Sequence, residues 1–196
     1  FRRVLFRSIV ALGIGNVLWA DEGFGVRCIE ALQQRFECAP NVTLMDGGTQ
    51  GLYLIQHVQA ADFLLIFDAV DYGLAPGELK IVEDDEVPKF LGVRKMSLHQ
   101  TGFQEVLASA ELLGRLPDEL VLIGCQPVEL EDFGGSLRDA VKAQIGPALD
   151  VACEWLTRWG AAPVPRTDAG PRLNAASLTL DAYEAGRPSE QDAWRA

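Results

Sequence analysis

Residues Leu12 to Gly25 read LGIGNVLWADEGFG, setting an apolar run against two glycines, an acidic pair and two further glycines. The stretch is either a nucleotide-binding turn or a glycine framework that holds out a carboxylate. The dinucleotide fingerprint needs glycine at its first, third and sixth positions, the last so that helix can pack on strand. Counting from Gly13, the third position is Gly15 but the sixth is Leu18. No GK[ST] phosphate loop occurs either, and Asp46 runs into Gly47-Gly48-Thr49, a second tight turn rather than a plain ribose acceptor. A nucleotide-binding α/β protein is therefore only a third reading.

Short and nearly continuous apolar runs rich in β-branched residues lie at Ile9–Ile14, Val42–Met45, Phe63–Val70 and Leu120–Ile123, which is how buried strands read. Between them, helical spacing is kept by Val26, Ile29, Leu32 and Phe36, by Leu52, Ile55 and Val58, and by Phe103, Val106, Leu107 and Ala110. Alternating strand and helix predicts an α/β fold with right-handed crossovers and a mostly parallel sheet covered on both faces. The segment Glu78–Val82, ELKIV, alternates and follows a turn-like DYGLAPG, so it is expected as an edge or hairpin strand. A last helix is expected from Ser136, whose SLRD is a capping-box variant, with Leu137, Val141, Ile145, Leu149, Ala152, Leu156 and Trp159 on one stripe. Gly146-Pro147 should kink or divide it, and Gly160 should cap its end. From 161 to 196 no period persists, and a disordered or loosely attached tail is expected. The expected domain is 9–160, with 1–8 an uncertain or non-native start.

The 196-residue length suits one domain. A net charge of −11 without clustered Lys and Arg argues against nucleic acid as a partner. No apolar run reaches the roughly 18 residues of a membrane helix, so no membrane partner is expected. Cys28, Cys38, Cys125 and Cys153 show neither CxxC nor zinc-site spacing, which points to free thiols in the cytoplasm.

In an open parallel sheet, residues just past the carboxyl ends of the strands converge on a crevice. Glu22 after the first strand, Asp68 near the end of FLLIFDAV, and His99 in the loop KMSLHQTG hold such positions. Two carboxylates and an imidazole suit a divalent transition metal. Each also has a plainer account: Glu22 as a helix-dipole partner, Asp68 as one of two local acids with Asp71, His99 as a helix cap. Likewise Asp46 with its glycines is a channel wall or merely a turn, Asp21 a helix N-cap rather than a ligand, and His57 a packed or surface histidine. Gln100 and Thr101 orient His99 or bond within their loop, Glu83–Glu86 is a solvated turn rather than a contact for a basic substrate surface, and Cys125 is a buried apolar thiol rather than a soft-metal ligand. No HExxH motif and no nucleophile elbow is present, which disfavours a covalent mechanism.

The ordered blocks GIGNVLWADEGFG, MDGGTQGLYL, FDAVDYGLAPGEL, SLHQTGFQEVL and IGCQPVELEDFGGSL span almost all of 9–160 and resemble the nickel-iron hydrogenase maturation proteases, close to those that process uptake-type enzymes. The resemblance implies a three-layer sandwich, phosphorylase/hydrolase-like, with a twisted, mostly parallel five-stranded sheet between helices. It implies an endopeptidase that removes a C-terminal extension from the hydrogenase large-subunit precursor after nickel insertion, just beyond the histidine of a cysteine-containing motif. It also carries a metal-ligand set onto Glu22, Asp68 and His99. Nickel would then be supplied by the substrate, with zinc or cadmium able to occupy the site in vitro, and the protein would act as a monomer. The alternative is a non-catalytic nickel-sensing chaperone of the large subunit.

Overall fold

The computed structural model describes residues 7–91 and 98–186, with side chains except those of 89–91 and 98–102. Strand β1 (Ile9–Ile14) leads through a 3-10 turn (Ala20–Gly23) into α1 (Phe24–Arg35), and the short β2 (Phe36–Glu37) precedes β3 (Val42–Gly48). A second 3-10 turn (Gly51–Leu54) and α2 (Ile55–Ala60) return the chain to β4 (Phe63–Ala69). Then come β5 (Leu79–Glu83), α3 (Glu86–Leu91), α4 (Leu98–Leu112) and β6 (Glu119–Cys125). After α5 (Asp139–Lys142) and α6 (Ile145–Arg158) follow β7 (Val164–Pro165) and α7 (Leu180–Ala185).

The main sheet has the order β3-β1-β4-β6-β5. Its first four strands are parallel and β5 runs antiparallel at the edge, matching the expected mostly parallel five-stranded sheet. Strands β1, β4 and β6 are almost wholly buried because helices cover both faces. One face packs Ile9, Ala11, Leu65 and Val121 against α1 and α6; the other packs Leu12, Leu64 and Leu122 against α2 and α4. The chain leaves β1 for β3 on one side and crosses back to β4 on the other. The switch point, where ligands gather in open α/β sheets, therefore lies between the carboxyl ends of β1 and β4.

Several local expectations differ from the structure. Ser136 caps no helix; its hydroxyl donates to Glu184, and α5 starts only at Asp139. The division of the last helix falls at Ala143 and Gln144, ahead of Gly146-Pro147. Pro147 is tolerated in the first turn of α6, where an amide would lack an intrahelical partner anyway. Gly160, at φ +78°, closes α6 as expected: its amide donates to Thr157 and that of Ala161 to Leu156, the paired bonds of a Schellman end. Phe36 leaves the helical stripe for β2, and Leu52 sits exposed in the 3-10 turn. The tail expected to be loose is folded over its described part. β7 pairs with β2, and residues 166–184 run back along α1 through long-range polar contacts that local periodicity cannot signal.

Candidate active site

The glycines around Glu22 shape its turn. Gly15 adopts φ +133°, and a Cβ there would overlap the Glu22 carbonyl oxygen, so only glycine lets the two peptides meet. The Asn16 amide donates to that carbonyl at 3.1 Å, and the Glu22 amide donates to Trp19 at 2.9 Å. A Cβ on Gly25 would overlap the carbonyl oxygens of both Ile14 and Phe67. The start of α1 thus sits directly on the ends of β1 and β4, the switch point itself, and the Glu22 turn packs against β4.

This places Glu22, 9% exposed, and Asp68, 1% exposed, at one edge of the sheet, each past or near the carboxyl end of adjacent strands. His99 lies in the first turn of α4 rather than in a loop before a helix. Its side chain, like those of Gln100 and Thr101, lies outside the described residues. Helix α4 packs against the turn Gly51–Leu54 that follows β3, so it reaches this same edge. Among the described residues, whose side chains do not include His99, no cluster of three metal-competent groups occurs.

Asp46 closes the β3 end. Gly48 turns at φ +44° and its carbonyl accepts the Gly15 amide at 3.1 Å, tying the two glycine turns together. The Asp46 Oδ2 accepts from Asn174 at 2.6 Å. Asp21 is neither a helix N-cap nor turned toward the crevice. Fully buried, its carboxylate accepts the amides of Val128 and Glu129 at 2.9 Å and of Arg138 at 2.7 Å, residues more than a hundred positions away. Sequence reading missed this because nothing local to Asp21 announces its partners. His57 is half-buried on α2, in line with a packed or surface histidine. The Glu83–Glu86 turn is exposed, and Asp84 accepts the Leu120 amide there.

Two further residues, unflagged in the sequence, shape the chain that follows Asp68. Gln126, just past β6, accepts the amides of Tyr72 and Leu74 and donates to Asp71, clamping the chain that leaves β4. The Tyr72 ring lies over Gly124, the register partner of Asp68, where a Cβ would overlap its hydroxyl. Burial, reinforced by Asp68 and Cys125, pushes this phenol well above its ordinary range, so it is a neutral donor at neutral pH. Burial, with the charge of Asp21 adding to it, raises the Cys125 thiol to about 12. It is a protonated thiol rather than a ready nucleophile or soft ligand.

Residues 26–155 match the family described as hydrogenase maturation protease. The chain belongs to that family. It is 64% identical over 190 residues to the hydrogenase expression/formation protein HoxM of Cupriavidus necator, covering 95% of this chain and 94% of that protein. It is 41% identical to the hydrogenase 2 maturation protease of Escherichia coli, over 81% of this chain and 96% of that protein. Its fold superposes on the E. coli hydrogenase-maturating endopeptidase HybD with a TM-score of 0.78 at 38% identity, over 82% of this chain and 98% of that one. The maturation protease is accordingly a hydrolase. Its candidate site sets two carboxylates withdrawn from solvent near the neutral Tyr72, a set suited to activating water, while the protonated Cys125 thiol packs in the cluster on the α1–α6 side of the sheet.

Proposed function

We propose that this protease removes the C-terminal extension of a nickel-iron hydrogenase large-subunit precursor after nickel insertion, and that nickel borne by the substrate docks against Glu22, Asp68 and His99. The observation that carries the reading is the burial of Glu22 and Asp68 together at the β1–β4 switch point. Carboxylates withdrawn from water at one edge favour an arriving cation, and two oxygens with an imidazole suit a borderline divalent metal. Hydrolysis needs an activated water, a stabilised oxyanion and a protonated leaving amine. Asp68 accepts the water's proton in this scheme, an aspartyl-type role, while the substrate's own metal sets the register of the scissile bond. In this reading the protein acts in the cytoplasm as a monomer.

The test is C-terminal mass analysis of a nickel-loaded precursor incubated with the protein and with its Asp68→Ala and His99→Ala variants. One discrete mass loss is expected, slowed about a hundredfold or more by either substitution. Binding without mass loss, with a known processing protease active on the same precursor, would instead establish a nickel-sensing chaperone. Cleavage of nickel-free precursor at the same rate would refute gating by nickel.

A further inference from the structure

The loops leaving the carboxyl ends of β1, β3 and β6 expose Leu18, Leu52, Tyr53, Val128 and Phe133, each 40% or more accessible. Apolar surface gathered at one edge, beside withdrawn carboxylates, marks an interaction site rather than scattered exposure. Two of these loops are locked to each other. The Asn16 side chain accepts the Leu18 amide at 3.0 Å, and the Leu18 carbonyl accepts the Gly134 amide at 2.7 Å. Trp19 and Phe133 meet edge to face with ring centroids 5.2 Å apart. Beneath them, the Asp21 carboxylate takes three amides of the second loop, and its own amide donates to Glu129. The result is a rigid apolar ledge, continuous with the Glu22 turn through the Glu22 to Trp19 hydrogen bond. A ledge ordered in advance binds without the entropic cost of ordering loops.

Resting on the proposed function, we infer that this ledge docks the precursor through an apolar peptide stretch flanked by basic residues. The apolar character follows from Leu18, Val128 and Phe133. The basic flank follows from charge: along the second loop Val128, Leu130 and Phe133 interleave with Glu129, Glu131 and Asp132, on a chain of net charge −11. Of these acids, Asp132 is paired with Arg138 and Glu129 accepts the Glu131 amide, while Glu131 is exposed. Such a surface draws a cationic segment and repels an acidic one.

The experiment measures precursor affinity and kcat/KM for Phe133→Asp, Leu18→Asp and Glu131→Lys, affinity being read in an Asp68→Ala background that holds the precursor uncut. Circular dichroism and thermal melting check that the variants fold, as exposed positions should allow. Phe133→Asp and Leu18→Asp are expected to weaken affinity and kcat/KM about tenfold, leaving kcat nearly unchanged, as truncating a binding anchor does. Glu131→Lys is expected to cost about threefold, and the loss to shrink at high salt. Folded variants that bind and cleave like wild type would overturn the docking surface while leaving the cleavage reading intact. A wild-type protein that fails to cleave, yet binds through Phe133, would sink the cleavage reading and keep the ledge. Variants that merely turn a dimer into a monomer, with precursor binding unchanged, would assign the ledge to self-association and overturn the proposal.

Discussion

The turn joining β1 to α1 and the segment from Arg166 to Glu184 both lie against α1, yet different means hold them. The turn is close-packed: Asp21, Glu22, Phe24 and Gly25 are buried, and backbone approaches backbone with no room for a Cβ. The segment seats only Leu173 and Leu180 against the core and is otherwise latched by polar contacts. Arg166 donates to Phe36, Asn174 to both Glu30 and Asp46, and Arg27 to the Leu178 carbonyl, while Glu184 receives Ser136 and Lys142. Beneath it lies a cavity of about 350 Å³ lined by Arg27, Glu30, Arg35 and Arg172. Steric exclusion thus sets the turn that carries Glu22, whereas side-chain hydrogen bonds and two leucines hold the flanking segment.

Substitutions at three positions probe that contrast. Gly25→Ala should have the largest effect, destabilising by about 3 kcal/mol or more as the start of α1 is forced off β1 and β4. Helix propensity alone predicts a gain of about 1 kcal/mol, so a neutral or stabilised variant in chemical denaturation would break the close-packing account. Asp21→Ala should follow at about 2–3 kcal/mol, because three amides lose a buried side-chain acceptor. Hydrogen exchange should rise specifically at Val128, Glu129 and Arg138, and unchanged protection there would show that Asp21 does not tie the loops. Asn174→Ala should be the mildest, about 1 kcal/mol, because the bonds it removes lie on a partly accessible strap. Asn174→Asp should be worse, setting a third carboxylate between Glu30 and Asp46. Equal melting of those two variants would mean that Asn174 does not bridge the acids.

The sequence alone determined what hydrophobic periodicity can encode. Continuous apolar runs marked β1, β3, β4 and β6, alternation marked β5, and the broken fingerprint at Leu18 left nucleotide binding as only a third reading. The placement of Glu22 and Asp68 at the carboxyl ends of strands was legible because it needs only the order of elements. Tertiary structure alone decided the polar partners. Asp21 found its amides more than a hundred residues away. Ser136 turned from a capping role to Glu184, and the aperiodic segment after 161 became a strap. Burial patterns repeat along a chain because one element faces one core, whereas a long-range hydrogen bond depends on which loops the fold sets side by side.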